Sequence, residues 1–179
     1  MTPERERPYR MQNSEVLYSD APIVTAAQSD IQHLIRLSAD NPRKRVRLCA
    51  HKDPQRPLHE MLIIHERSAY VRPHRHPGKS ESMHVISGEV DVVVFDAQGG
   101  VSEVIEMGDY ASGKIFYYRM EVPLFHTLII RSDVLVGKRP FKKMPKSCSR
   151  ASAAPRRLMR KVSQSVGADA DLTQAPTFN

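Results

Sequence analysis

One short segment carries most of the residues with chemical potential: His74-Arg-His76-Pro-Gly-Lys-Ser-Glu81. Two imidazoles and a carboxylate suit a borderline first-row divalent ion, one of Fe, Mn, Co, Ni or Zn. On a strand, residues two apart point the same way, about 6–7 Å from Cα to Cα. His74 and His76 would then converge on one ion without any special backbone. Pro77-Gly78 turns the chain, and Glu81 opens the next strand, which returns a carboxylate beside them. A fourth donor must come from elsewhere. His126 is the best candidate, because it follows Pro123-Leu-Phe and opens the apolar run Thr127-Leu-Ile-Ile130. If His126 faces inward, Leu128 and Ile130 do so too. Alone, each of these residues has an ordinary reading: an exposed pair of strand histidines, a solvated turn carboxylate, a core or rim histidine. Their combination favours a metal site.

Three histidines and a carboxylate would leave about two positions open on a six-coordinate ion, enough to bind water or a substrate with adjacent oxygens. Arg72 has the parity of His74 and His76 and would hold its guanidinium near that open side, where it suits bidentate capture of a carboxylate or phosphate. A salt bridge to Glu60, Glu106 or Asp109 is the alternative. Tyr70, Tyr117 and Tyr118 could each supply a phenol; Tyr70 and Arg72 are the candidates for substrate contact. His84 stands three residues past Glu81 and should face away from the metal, as a structural histidine packed under the helix or a neighbouring chain. His51 or His59 could line the barrel mouth.

The elements that must position these residues are mostly short strands. The pattern places them at 45–50, 59–66, 69–76, 82–87, 89–95, 101–107, 115–120, 126–131 and 133–138, with Asp96-Ala-Gln-Gly-Gly100 as a hairpin turn. The run Asp91-Val-Val-Val-Phe95 is nearly all apolar, as in a strand covered on both faces. One helix is expected over 26–39, capped through Thr25 with Gln28 or Ser29 with Gln32 and stopped by Asn41-Pro42. Ala27, Ile31, Leu34 and Ile35 lie on its apolar face. Many short strands without βαβ alternation indicate a sandwich or barrel. The expected organisation is a flexible arm over residues 1–24, a single domain over 25–141 and a basic, disordered tail over 142–179.

Composition narrows the function. The 179 residues are 40% hydrophobic and 26% charged, with thirteen prolines and no tryptophan, as in a globular β-rich chain. The net charge of +7 resides in the tail: residues 1–139 hold nineteen Lys or Arg against eighteen Asp or Glu, and residues 140–179 hold eight against two. A phosphate-binding groove would instead gather its basic residues on the folded part, so nucleic acid is not expected as the domain's partner. No apolar run is long enough to span a bilayer, and the charged N-terminus does not read as a secretory signal. Cys49 and Cys148 form no disulfide framework, so a reducing cytoplasm is expected.

The spacing His74, His76, Glu81, Gly88 resembles the first sequence motif of the cupin superfamily, His-x-His, three or four residues, Glu, six residues, Gly. Gly108, Pro123 and His126 resemble its second motif, with Phe125 and Ile130 in its glycine and asparagine slots and a longer gap after Gly108. Ser68 stands where the first motif has its leading glycine. Within the superfamily, residues 30–141 are similar to the WbuC family of cupin-fold metalloproteins. The similarity runs through Pro42-Arg-Lys-Arg-Val-Arg-Leu48, Leu58-His-Glu-Met-Leu-Ile63, Tyr70-Val-Arg-Pro-His-Arg-His76, Val92-Val-Val-Phe-Asp96 and Phe125-His-Thr127. The resemblance implies a double-stranded β-helix (jelly-roll barrel) with one N-terminal covering helix and one divalent transition metal. It also implies encoding beside enzymes of surface-polysaccharide synthesis, and no established reaction. The expected function is a metal-dependent isomerase or oxygenase of a small oxygen-rich molecule, such as a sugar or sugar acid. The alternative is a module that binds or senses a ligand without turning it over. A homodimer is expected by family analogy.

Overall fold

Alternation of apolar residues along the strands sets the architecture, and the computed structural model shows it over the described residues, 9–142. Ten strands and one helix follow in the order β1 (Tyr9–Asn13), β2 (Val16–Ser19), α1 (Gln28–Asp40), β3 (Arg45–Cys49), β4 (Leu58–Glu66), β5 (Glu81–Ser87), β6 (Glu89–Phe95), β7 (Val101–Gly108), β8 (Tyr117–Met120), β9 (Phe125–Ile130) and β10 (Val134–Lys142). They form a seven-stranded sheet, β1-β2-β3-β4-β10-β5-β8, and a three-stranded sheet, β7-β6-β9. From β5 onward the chain passes repeatedly between the sheets, which is the jelly-roll arrangement the sequence leads one to expect. β2 and β3 pair in parallel; the other paired strands are antiparallel.

The core lies between the sheets. Met83 and Val85 of β5, Val90, Val92 and Val94 of β6, Leu128 and Ile130 of β9, and Leu135 of β10 pack there. Because side chains alternate across a strand, the same register that buries Leu128 and Ile130 turns His126 inward, as its parity requires. On β10, Leu135, Gly137, Arg139 and Phe141 share the parity of the interior, while Val136 packs with the helix layer and Lys138 meets Glu60.

Helix α1 covers the outer face of the large sheet, where Leu34, fully buried, meets Val46, Leu48, Ile64 and Val136. Its start differs from both expected capping pairs. Ala27 is the N-cap, and the Asp30 carboxylate accepts the Ala27 N–H at 2.8 Å. An acid in the first turn also complements the positive end of the helix dipole. Asn41 ends the helix as expected, its side-chain oxygen accepting the Arg43 N–H at 2.8 Å.

Two expectations need correction. Residues 69–76 do not form a strand; a single bridge, His74 to His126, ties the segment to β9. Pro73 and Pro77 lack the N–H groups a continuous ladder needs, so pairing extends no further. The expected flexible arm over 1–24 instead contributes the β1–β2 hairpin. Val16, Leu17, Tyr18 and Ser19 are all buried, and Val16 to Tyr18 pair with Arg47 to Cys49. Pro22 follows this hairpin without interrupting it. The expectation of a basic tail over 142–179 lies outside the described residues, except for the backbone of Lys142 in β10.

Gly88, between β5 and β6, has φ +91, a backbone region that costs other residues strain. A Cβ there would also run into the Val134 carbonyl. The tight passage from one sheet to the other therefore requires glycine.

Candidate metal centre

His74, His76, Glu81 and His126 meet inside the domain, each offering one ligand atom, with all four atoms within 4.8 Å of one another. Glu81 begins β5 and His126 lies near the start of β9, so the two sheets supply one residue each. The irregular segment between β4 and β5 supplies His74 and His76. The His74–His126 bridge fixes that segment: each residue's N–H donates to the other's carbonyl, at 3.0 and 2.9 Å. Thr127 Oγ1 donates to the Val71 carbonyl and holds its upstream end.

Main-chain carbonyls orient two of the imidazoles. His74 Nδ1 lies 2.8 Å from the Arg72 carbonyl, and His126 Nδ1 lies 3.0 Å from the Leu124 carbonyl. A carbonyl only accepts, so each Nδ1 donates to it, and Nε2 of both rings faces the cluster. This is the arrangement by which metal-ligating histidines are usually held. His76 Nε2 lies 2.8 Å from Glu81 Oε2, and its ring stacks near-parallel to Phe141.

Glu81 is the hub. Tyr118 donates its hydroxyl to Oε1 at 2.9 Å, and Arg139 Nη2 donates to Oε2. Burial alone would raise the Glu81 pKa; the positive Arg139 and hydrogen bonds from His126 and His76 overrule it and hold the carboxyl well below the usual carboxylate range. Burial, reinforced by Glu81, pushes the Tyr118 phenol up. Burial, then the charge of Arg139, lowers His74 to about 3, so this ring is neutral and able to ligate.

The donor set fits a divalent transition metal: three imidazoles and one carboxylate, with two of the rings anchored by main-chain carbonyls. A further feature supports the fit. His126 Nε2 lies 3.3 Å from Glu81 Oε1, so an imidazole nitrogen and a carboxylate oxygen are already close enough to share one ion. His76, Glu81 and His126 also line a small cleft of about 160 Å³, open mouth included, together with Lys79, Met120, Val122 and Pro123.

The other candidates fall differently. Arg72 is exposed, and what it gives the cluster is its carbonyl. Tyr70 is 36% exposed; burial raises its pKa while the nearby charge of Arg72 opposes that. The guanidinium among the four donors is that of Arg139, which the sequence reading overlooked. Its position three residues from Val136 and two from Phe141 on the last strand was the available signal, since alternation from Leu135 turns residue 139 inward. Tyr118 is the buried phenol among the three tyrosines considered. His84 faces away from the cluster as expected, but it is exposed beside Phe116 and not under α1.

A family model described as a domain of unknown function, DUF6016, matches residues 26–107. No curated protein matches this chain. Solved structures to which this chain is similar include one of the DMSP lyases RdDddP and RnDddQII, at 10% identity and TM-score 0.41 over 55% of this chain and 44% of that one. A cupin 2 conserved barrel domain protein from Rhodopseudomonas palustris is similar at 12% identity and TM-score 0.45, over 67% and 73% of the two chains. Oxalate decarboxylase of Bacillus subtilis, described with Mn(II) centres, is similar at 18% identity and TM-score 0.44, over 68% of this chain and 31% of its own. This chain thus spans less than half the length of the first and third of these. On its own strand order and sheet pairing, the described domain is a jelly roll with a four-donor cluster between its sheets.

Proposed function

We propose that this protein binds one divalent transition metal through His74, His76, Glu81 and His126 and uses it to hold a small, oxygen-rich molecule. The observation that carries the reading is the convergence of three imidazoles and a buried carboxylate on one point. A bound metal would act as a Lewis acid toward oxygens reaching it. The chain's own residues shape what arrives. Lys79, on the wall of the cleft beside His76 and His126, suits an anionic ligand. The similarity of residues 30–141 to the WbuC family supports a sugar or sugar acid of surface-polysaccharide synthesis as the ligand class, and a cytoplasmic homodimer as its setting. Tyr70 and Arg72 stand as candidates for contact with parts of the ligand outside the cluster. The proposed unit is the domain over 25–141 together with the β1–β2 hairpin.

A second reading is a binding module without turnover. It is favoured by Tyr118, whose hydroxyl is committed to Glu81 and whose raised pKa makes it a poor base. Metal-loaded protein incubated with sugar nucleotides and small keto-acids separates the two. Product formation that is lost in His76→Ala supports an enzyme; saturable binding without product supports the module. Loss of neither metal nor binding in His76→Ala contradicts both.

A further inference from the structure

Arg139 places an organic cation where the four metal-ligating atoms converge. Its Nη2 donates to Glu81 Oε2 and lies 3.3, 3.2 and 3.5 Å from Nε2 of His74, His76 and His126. The side chain is 15% exposed and reaches in from the interior face of β10, where residue 139 pairs with Met61.

This position serves the guanidinium poorly. Nη2 has two hydrogens, while atoms of four side chains, Glu81, His74, His76 and His126, lie within 3.5 Å of it, more than it can serve. Its Nε–H, also buried, has no hydrogen-bond partner. A metal ion has no such limit, because it accepts a lone pair from every donor at once. Coordination to nitrogen or oxygen needs about 2.0–2.2 Å, against the hydrogen-bond distances found around Nη2. A metal therefore requires both a tighter shell and the departure of the guanidinium. Two positive charges sharing one buried carboxylate would also repel strongly.

We infer that Arg139 is a built-in competitor for the metal: it occupies the cation position in the metal-free protein and must withdraw for the metal to bind. The inference rests on the metal-site reading proposed above. Its consequence is that metal affinity is lower, and the metal-free fold better neutralised, than the four donors alone would give. Such a device lets the protein carry a buried carboxylate safely until the ion arrives.

The test uses the full chain, stripped with chelator, and titrates Zn(II) and Mn(II) by calorimetry into wild type, Arg139→Met and Arg139→Gln. The neutral variants should bind metal at least about tenfold more tightly, since a charge-assisted contact no longer has to be broken first. Equal or weaker binding by both variants, with wild type still taking up metal, overturns the inference and leaves the metal site standing. Absence of uptake by all three proteins removes the metal site and the inference with it. Crystal structures of wild type with and without Zn(II) provide a readout that needs no variant. The guanidinium should leave the four donors in the loaded form; finding it among them with zinc bound contradicts the inference.

Discussion

Two groups of histidines lie in this domain, and they are handled in opposite ways. His74, His76 and His126 surround the Glu81 carboxylate, with main-chain carbonyls anchoring two of the rings. His51 and His59 stack face to face at 4.2 Å instead, and His59 leans on Phe141. In the second group His51 meets the Glu60 carbonyl, while His59 Nε2 and, at the other end of β4, His65 Nδ1 are buried without a hydrogen-bond partner. The groups even share a wall, since the Phe141 ring lies between His59 and His76. What separates them is the buried carboxylate. A ring beside Glu81 finds a charge that rewards a cation; a ring without it is only desolvated. Histidine content therefore says little about metal binding until the carboxylate and the ring orientations are known.

The comparison breaks most sharply at Glu81. Replacing Glu81 by Ala leaves Arg139 buried with no anionic partner, which should cost the stripped protein about 3–5 kcal/mol of stability. Urea denaturation measures it, and a loss below about 1 kcal/mol would mean the carboxylate is not the hub.

The second group should reveal itself through acid. Burial first, then the charges of Arg45, Arg139 and Arg47, lower His65 to about 3 from an ordinary 6.5. Between those values the unfolded chain binds a proton at this site and the folded one does not. Stability is thus complete above about pH 6.5 and declines as the pH falls toward 3, by about 1.4 kcal/mol per pH unit for such a group. Substituting His65 by Leu should flatten the decline by that amount. An unchanged slope in denaturation curves at pH 4, 5 and 6 would show that the ring is already solvated or protonated.

Smaller effects sharpen the contrast. His59→Gln should leave metal content unchanged while removing the stacked pair, whereas any substitution in the first group should lower it. His84→Ala, at an exposed ring beyond the cluster, should change stability by no more than about 0.5 kcal/mol and metal content not at all. Metal loss in His84→Ala, measured by elemental analysis, would mean the exposed face of β5 contributes to the site.

Much of this site was legible from spacing. The offsets among His74, His76 and Glu81, and the inward parity of His126, follow from short-range periodicity and one apolar strand. The route was less so. Alternation along 69–76 brought the two histidines together on paper, yet Pro73 and Pro77 prevent a strand, and one bridge to His126 does the positioning. Arg139 was hidden for a different reason. Its meaning depends on β10 lying between β4 and β5, a long-range pairing that no local pattern contains. The β1–β2 hairpin was obscured by polar, proline-bearing surroundings, although the buried run Val16-Leu17-Tyr18 is what anchors it to β3. Glu15 shows the same dependence on distant pairing, since it ties the hairpin to Arg45 at 3.0 Å.

Elemental analysis of the full chain, purified without chelator or nickel affinity resin, tests the account most directly when wild type is set beside His76→Ala and His59→Gln. About one divalent transition-metal ion per chain should accompany wild type and His59→Gln, and close to none should remain with His76→Ala. A metal-free wild type in metal-replete medium, or a full complement in His76→Ala, would contradict it.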